Sequence, residues 1–255
     1  MRCGGSSSRR KPNASTSMAW TRSKPPSSAT GPMIVTIDGP AGVGKSTVAK
    51  LLAKALGIMY LDTGATYRSL AYAATQANVN PVTDVKQLIA MAKKLPLHLQ
   101  QTDEGELQVF LDGREVTKQI RTEEVSEAAA QVSQHTDIRA AMVELQRRLA
   151  DKHGVVVEGR DTGSVVFPYA PYKFFLDANP AIRARRRQEE LALVYGRETP
   201  LQQVQEQLHF RDSLDRTRRV GPLVRPEGAI AIDTSHLAAP EVVRVMLEHV
   251  RSRTG

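Results

Sequence analysis

The sequence predicts an α/β protein in which helices cover both faces of a parallel sheet. Short apolar runs rich in β-branched residues, such as 34–37 and 155–157, alternate with stretches of helical periodicity along most of the chain. One region, 97–120, departs from this order. Apolar and polar residues alternate there, as is typical of an antiparallel β-unit. We therefore expect a parallel core and an inserted region with a small antiparallel β-unit.

The first part of the predicted core has a strand–helix–strand order. A strand at 34–37 precedes a helix over 45–56, in which apolar residues recur at helical spacing and which Gly57 ends. A short strand at 58–61 follows. The next residues, 62–65, are predicted to form a turn, and a helix carries the chain onward from there.

The residues before and after the antiparallel unit are predicted to form helices. Thr83 is expected to cap a helix that reaches Met91. After the antiparallel unit, Thr122 and Thr136 are expected to start two more helices, the second of which ends near Gly154.

The last third of the chain returns to alternating strands and helices. The predicted segments are strands at 155–157, 173–177 and 229–233, a long helix from Pro180, a helix after Pro200 and a terminal helix at 241–250. We therefore assign 33–60 and 155–255 to the core and 61–153 to the insertion.

A glycine-rich stretch after the first strand carries the clearest chemical signal. It fits G-x-x-x-x-G-K-[ST] from Gly39 to Ser46, with a strand before it and a helix after it. Its glycines let several backbone N–H groups converge on one anion, and the helix N-terminus adds a partial positive charge. Lys45 is suited to the β- and γ-phosphates, and the Ser46 hydroxyl is suited to Mg²⁺. A chance glycine-rich turn is the alternative, and the flanking strand and helix argue against it. The residues that we assign to triphosphate binding are Gly39, Pro40, Ala41, Gly42, Val43, Gly44, Lys45, Ser46 and Thr47.

Charge is distributed unevenly along the 255 residues. The net charge is +8, but residues 1–32 contain six basic residues and no acid, and the rest contains 29 basic and 27 acidic residues. A near-neutral folded part argues against a nucleic-acid partner. No apolar run approaches the roughly 20 residues that span a membrane. The one cysteine, Cys3, allows no internal disulfide.

The N-terminal segment, 1–32, is rich in Ser, Arg, Pro and Thr and poor in large apolar residues. Such a composition cannot form a core, so we expect a disordered basic tail. Two interpretations stay open. The segment resembles an organelle transit peptide, and it is also what results when a start codon is assigned too early, since Met33 stands directly before the first strand.

Arginines recur in short groups after the glycine-rich stretch. Guanidinium groups bind phosphate oxygens in a fork and keep their charge, so several of them converging on one site would serve phosphoryl transfer. Each group also has a purely structural interpretation. The arginines of 183–187 could form a solvated helix face that pairs with Glu189 and Glu190, and Arg211, Asp215 and Arg218, spaced along one helix face, could be a structural ion-pair ladder.

Several stretches together resemble the bacterial cytidylate kinases. The glycine-rich stretch with 61–68 looks like the first signature of that family, and 120–125, 158–168 and 211–223 resemble the later ones in the same order. The resemblance covers essentially all of 33–255. It implies transfer of the γ-phosphoryl group of ATP to CMP or dCMP with Mg²⁺, by a cytoplasmic monomer without nucleic-acid or membrane partners.

The same resemblance implies roles for individual residues. Thr63, Tyr67 and Arg68 would line the CMP pocket. Arg139, Arg160 and Asp161 would contact cytosine or the CMP phosphate. Arg211 and Arg218 would bind phosphate, and Asp215 would bind the sugar hydroxyls. Arg186 would reach the transferring phosphoryl group from a short lid near 183–199. The catalytic residues implied in this way are Lys45, Arg160, Arg186 and Arg218.

Two positions depart from the family pattern. Relatives often have a serine that helps to read cytosine where this chain has Ala130. Ser133 lies one turn further on a similar helix face, and whether it substitutes is left open. Glu158 stands where some relatives have Asp, and we expect this change to be harmless.

Three other functions compete with this interpretation. The first is a kinase for another nucleoside monophosphate, such as UMP, or for a small alcohol. The second is a GTPase-type switch, which needs an Asn-Lys-x-Asp motif that the sequence lacks. The third is a nucleic-acid-binding ATPase, which the near-neutral charge of 33–255 disfavours.

Overall fold

The structure is a computed structural model that describes residues 1, 32–102, 104–150, 154–196 and 198–253. Its centre is a five-stranded, fully parallel sheet with the strand order β2-β6-β1-β7-β8. These strands are β1 (Ile34–Asp38), β2 (Met59–Asp62), β6 (Val155–Gly159), β7 (Tyr172–Asp177) and β8 (Ile230–Asp233). The predicted parallel sheet is confirmed.

The central strands are apolar because both faces of the sheet are covered. Every residue of β6 is buried, including its Val-Val-Val run, as a strand between two layers of helix requires. The helices of the described chain are α1 (Lys45–Leu56), α2 (Thr63–Gln76), α3 (Val85–Lys93), α4 (Glu123–Val132), α5 (Thr136–Ala150), α6 (Pro180–Tyr195), α7 (Leu201–Thr217) and α8 (Ala239–Ser252).

A second sheet is small and antiparallel, as predicted. It consists of β3 (Leu97–Gln101), β4 (Leu107–Leu111) and β5 (Arg114–Glu115). It is attached to the edge of the parallel sheet, because the Gln101 side-chain oxygen accepts a hydrogen bond from the Tyr60 backbone N–H at 3.2 Å. An ion pair between Lys50 and Glu106 joins the same two regions.

The apolar core is continuous between the two regions. One cluster of buried side chains contains Val35 and Leu52 beside the parallel sheet and also Leu88, Val109 and Ile138 within 61–153. The predicted division into a core, 33–60 with 155–255, and an insertion, 61–153, stays a prediction.

The predicted turn at 62–65 is wrong. Residue Asp62 ends β2 and its carboxylate accepts a hydrogen bond from the Ala65 N–H at 3.0 Å, so the helix begins at Thr63 without an intervening turn. The predicted cap of α3 is displaced by one residue. Thr83 donates its hydroxyl to the Asp84 carboxylate, and Asp84 is the residue that precedes the helix.

Other boundaries differ by a few residues. The helix predicted to end near Gly154 ends at Ala150, and residues 151–153 lie outside the described chain. The predicted tail, 1–32, also lies outside it except for its first and last residues. The predicted lid, 183–199, falls on α6 and the residues after it, and its closure stays a prediction. No helix among the described residues is long and apolar enough to cross a membrane.

Candidate active site

The glycine-rich loop connects β1 to α1 at the carboxyl edge of the parallel sheet. Gly44 has φ +88° and directly precedes α1. A Cβ on Gly39 would lie 2.2 Å from the Leu176 carbonyl oxygen of β7, so only glycine allows this approach. Lys45 is buried, and its Nζ donates to the Pro40 carbonyl oxygen at 2.6 Å. The loop therefore has the form that the sequence predicted for phosphate binding.

Two charged side chains, one from α6 and one from α7, bind the backbone of the loop. Arg183 Nη1 donates to the Ala41 carbonyl oxygen at 3.2 Å and pairs with Asp212, whose other oxygen accepts from the Ala41 N–H at 3.4 Å. Both charged side chains are nearly buried. Arg183 is therefore not part of a solvated helix face; it connects the loop to the two helices.

Asp38 fastens the end of β1 to the segment that follows β6. Its carboxylate accepts hydrogen bonds from the Thr162 N–H at 2.7 Å, the Thr162 hydroxyl at 2.8 Å and the Gly163 N–H at 2.7 Å. These donors belong to a π-helical turn, Thr162–Val166, directly after Arg160 and Asp161. Burial raises the pKa of Asp38 to about 6, although the three hydrogen bonds oppose that rise.

The start of α2 supplies the next group. Arg68 Nη2 donates to Asp62 Oδ2 at 2.6 Å, and the Thr63 hydroxyl donates to the Glu158 carbonyl oxygen at 2.8 Å. Burial favours the protonated form of Asp62, but the charges of Arg68 and Arg121 and the hydrogen bond from Ala65 hold the pKa of Asp62 below its ordinary value. The carboxyl ends of β2 and β6 thus place these side chains together.

Arg139 and Asp161 form a buried pair behind this group. Arg139 Nη2 donates to Asp161 Oδ2, and the guanidinium carbon of Arg139 lies 5.7 Å from the centre of the Tyr67 ring. Arg139 is only 2 % exposed, so its charge is compensated by Asp161 rather than by water. Arg139 Nη1 also donates to the Ser133 carbonyl oxygen at 3.4 Å, which connects this pair to the end of α4.

Asp215 connects β6 to α7. It accepts a hydrogen bond from Arg160 Nε at 2.7 Å and lies 3.6 Å from Arg218 Nη2. Arg218 is not on the helix face predicted for it, because α7 ends at Thr217 and the backbone of Arg218 is extended. Among the described residues, Arg211 has no ion-pair partner. Burial, and next the charge of Arg160, lower the pKa of Arg211 to about 10.

These groups enclose one cavity of about 310 Å³ at the carboxyl edge of the sheet. Of the residues predicted for the site, the cavity wall contains Ala41, Gly42, Gly44, Lys45, Ser46, Thr47, Thr63, Tyr67, Arg68, Arg160, Asp161, Arg211, Asp215 and Arg218. Gly39, Pro40 and Val43 belong to the loop but not to the wall, and Arg139 lies behind Asp161. The structure thus brings together nearly all of the predicted residues.

Arg186 is the predicted site residue that lies elsewhere. Its guanidinium donates to the Thr234 hydroxyl at 3.2 Å and to the Thr234 carbonyl oxygen at 2.6 Å, away from the cavity wall. The next residue, Arg187, is in the wall and pairs with Glu190 at 2.9 Å. One residue along a helix is a rotation of about 100°, which separates the two side chains.

Some wall residues were not assigned to the site from the sequence. The wall also contains Arg121, Glu158, Ser126, Ala129, Ala130, Ser133, Glu190 and Leu208. Arg121 and Glu158 belong to the signatures at 120–125 and 158–168, and Ala130 and Ser133 are the positions discussed above for reading cytosine. Ser126 and Ala129 had no sequence signal beyond their helical spacing in α4.

The cavity has an excess of positive charge. Its wall contains seven basic side chains, Lys45 with six arginines, and five carboxylates. Burial, and next the charge of Arg160, lower the pKa of Lys45 to about 7. An excess of cations in a partly enclosed cavity favours anionic ligands, and the side-by-side arginines suit phosphate oxygens.

Comparison with known proteins agrees with this geometry. Residues 35–252 match the family model described as cytidylate kinase. A cytidylate kinase from Caldanaerobacter subterraneus subsp. tengcongensis is 45 % identical over 220 residues, which are 86 % of this chain and 95 % of the relative. One from Geobacillus sp. (strain WCH70) is 43 % identical over 221 residues, which are 87 % and 97 % of the two chains.

A solved gluconokinase from Sinorhizobium meliloti 1021 is 17 % identical, with a TM-score of 0.44 over 88 % of this chain and 94 % of that one. The family match covers nearly all of the chain outside the N-terminal tail, and the two relatives are similar along almost their whole length. The chain therefore belongs to the cytidylate kinase family.

Proposed function

We propose that this enzyme transfers the γ-phosphoryl group of ATP to CMP or dCMP and releases ADP with CDP or dCDP. As a member of the cytidylate kinase family, the chain is an ATP-dependent nucleoside monophosphate kinase. The single observation that carries the proposal for this chain is the cavity itself. It joins the phosphate loop on one side to the arginines of β6, α2 and α7 on the other.

Positioning and charge neutralisation are what these residues contribute. Lys45 and the loop N–H groups hold the β- and γ-phosphates of ATP. Arg160, Arg211 and Arg218 neutralise the acceptor phosphate and the charge that develops on the transferred group. Asp215 keeps Arg160 and Arg218 in place through its two oxygens. No general base is needed, because a nucleoside phosphate is already anionic.

The residues present fit Mg²⁺. Among the described residues, no group of three or more His, Cys, Asp or Glu side chains could hold a metal. Mg²⁺ is commonly bound by one or two protein oxygens, several waters and the substrate phosphates, so a sparse donor set suits it. Ser46 and Glu158, both in the cavity wall, would hold it. When bound, Mg²⁺ supplies charge neutralisation to the phosphates.

The proposal extends to the setting in which the enzyme works. The family resemblance supports a cytoplasmic monomer that uses ATP, CMP and dCMP. Closure of 61–153 and of the lid near 183–199 over the two substrates would exclude water and limit wasteful ATP hydrolysis. Arg186 would then contact the nucleotide only if α6 or its side chain moved from the contact with Thr234.

One observation favours a second candidate, a kinase with substantial UMP activity. Ala130 in the cavity wall has no hydroxyl with which to read the base. An ADP-release assay with ATP and Mg²⁺ against CMP, dCMP, UMP, AMP and GMP separates the candidates. We expect turnover with CMP and dCMP and little with the others. Activity led by UMP would favour the second candidate, and no turnover with any acceptor would refute both.

A further inference from the structure

A buried tyrosine binds one of the two side chains assigned above to Mg²⁺. Tyr60, on the edge strand β2, is 1 % exposed, and its phenol donates a hydrogen bond to Glu158 Oε1 at 2.8 Å. Tyr60 is paired with Val156 in the strand register, so Glu158, two residues further along β6, is on the same face of the sheet. Neither the sequence signatures nor the cavity wall includes Tyr60.

The hydrogen bond between Tyr60 and Glu158 has one direction. A carboxylate can only accept, so the phenol is the donor. Both side chains are buried, which keeps this bond away from competing water.

This bond determines what Glu158 offers to the cavity. Its Oε1 is engaged by the phenol, and within the described chain Oε2 accepts no hydrogen bond. A carboxylate oxygen that is free to accept is what a hard cation requires.

We propose that Tyr60 is a positioning residue whose phenol aligns Glu158 to hold the magnesium ion that accompanies the triphosphate. It acts through this side chain and contacts neither substrate. The inference rests on the proposed use of ATP with Mg²⁺, but not on the identity of the acceptor. Outer-sphere groups of this kind typically change metal affinity by about 10- to 100-fold.

The test is the gain in ATP affinity that Mg²⁺ gives, measured by titration calorimetry without any acceptor. Tyr60→Phe removes the hydroxyl and keeps the ring. We expect this variant to lose roughly tenfold of the magnesium-dependent gain, and its ATP affinity in EDTA to stay within about twofold of wild type. Tyr172→Phe, on β7 of the same sheet and also buried, is the matched control and should keep the full gain.

Two results would overturn the inference. One is a Tyr60→Phe variant that keeps the full magnesium-dependent gain. The other is an equal loss of affinity with Mg²⁺ and in EDTA, which would indicate a structural role only. A wild-type protein that shows no gain would overturn it as well.

A second variant keeps the inference testable if Tyr60→Phe fails to fold. Glu158→Gln preserves the shape of the side chain but replaces one oxygen by an amide N–H₂, and we expect it also to lose the magnesium-dependent gain. Retention of the gain by Glu158→Gln would overturn the inference. If the gain behaves as expected but the wild-type enzyme phosphorylates no nucleoside monophosphate, the proposed function fails and the role of Tyr60 stands.

Discussion

Arg160 illustrates how a single side chain is held at the centre of the site. Its Nε donates to Asp215 at 2.7 Å, and the residue lies at the end of β6 beside Glu158 and Lys45. Burial favours the neutral form of Arg160, but the negative charge of Asp215 outweighs this effect and raises the pKa of Arg160. The guanidinium is therefore fully charged and directed before any substrate binds.

Arg160→Ala should affect the acceptor far more than ATP. We expect kcat/KM for CMP to fall by about 100-fold or more, because a preorganised cation is lost from the phosphate site, while the Kd for ATP changes by only a few-fold. Steady-state kinetics and calorimetry measure the two effects. Arg148→Ala, at an exposed position of α5, is the control. Equal damage to ATP and CMP would count against the assigned role.

Lys45 should take up a proton when ATP binds. With a pKa lowered to about 7 in the free protein, its amine is mostly neutral at about pH 8, and the triphosphate charge restores the ammonium form. Calorimetry of ATP binding in buffers of different ionisation enthalpy should show uptake of about one proton at pH 8 and almost none at pH 6. Lys45→Arg, which stays charged, should abolish the uptake. Equal uptake by the wild type and this variant would exclude Lys45 as its source.

Ser133 is the residue that we expect to read the base in place of Ala130. Its hydroxyl donates to the Ala130 carbonyl oxygen at 2.8 Å, so toward the cavity it can only accept, and cytosine offers an amino group where uracil has a carbonyl. Ser133→Ala should lower the ratio of kcat/KM for CMP to that for UMP by about tenfold. Ser126→Ala, at another serine of α4 in the wall, is the control. An unchanged ratio in Ser133→Ala would leave cytosine recognition to Arg139 and Asp161.

Among the secondary-structure elements, the π-helical turn after β6 is the one that most directly positions the site. The carboxylate of Asp38, at the end of β1, accepts the three hydrogen bonds from Thr162 and Gly163 that anchor the start of this turn. Arg160 and Asp161 directly precede the turn. The carboxyl end of β1 therefore fixes the positions from which Arg160 and Asp161 reach the cavity.

The free energy of unfolding should depend on pH through Asp38. The folded-state pKa of Asp38 is raised from 3.8 to about 6, so the folded state binds more protons than the unfolded state between these values, and stability falls as pH rises through this window. Relative to Asp38→Asn, the wild-type free energy of unfolding should drop by up to about 3 kcal/mol from pH 4 to pH 7. Urea unfolding at several pH values measures this.

The control for that experiment is Asp137→Asn, at an exposed acid of α5. Its free energy of unfolding should run parallel to the wild-type curve over the whole pH range. A difference between wild type and Asp38→Asn that is the same at every pH would mean that Asp38 does not titrate in this window.

Elements with a local signal could be predicted from the sequence. The helix at 45–56 was found with its boundaries, because Gly44 and Gly57 at its ends are local signals. The start of α2 was missed because Asp62, Thr63 and Gly64 have turn composition, and the deciding hydrogen bond from Ala65 depends on the geometry at the end of β2.

Site residues, like secondary-structure elements, could be predicted where their sequence signal is local. The residues of the phosphate loop share one short stretch, so their spacing alone identified them. The pairing of Arg139 with Asp161 joins residues 22 positions apart and depends on how α5 packs against the π-helical turn after β6. Arg186 and Arg187 could not be distinguished, because arginines lie on several faces of α6 and give no indication of which face meets the cavity.

At the scale of the whole molecule, the cavity lies between two regions that share an apolar core. The phosphate loop comes from the parallel sheet, and Thr63, Tyr67 and the α4 residues come from 61–153. The ends of parallel strands that meet at one edge make such a cleft a natural ligand site. The excess of arginines there, in a chain that is close to neutral over 33–255, concentrates positive charge where two phosphorylated substrates would meet.

The central claim is direct transfer of a phosphoryl group between nucleotides in this cavity. It is tested most directly with ATP that carries a labelled γ-phosphate, incubated with Mg²⁺, CMP and the enzyme, followed by separation of the products. The account predicts label in CDP, little label in inorganic phosphate, and no transfer by Lys45→Ala. Label that appears only in inorganic phosphate, with CMP unchanged, would contradict the account and indicate an ATPase instead.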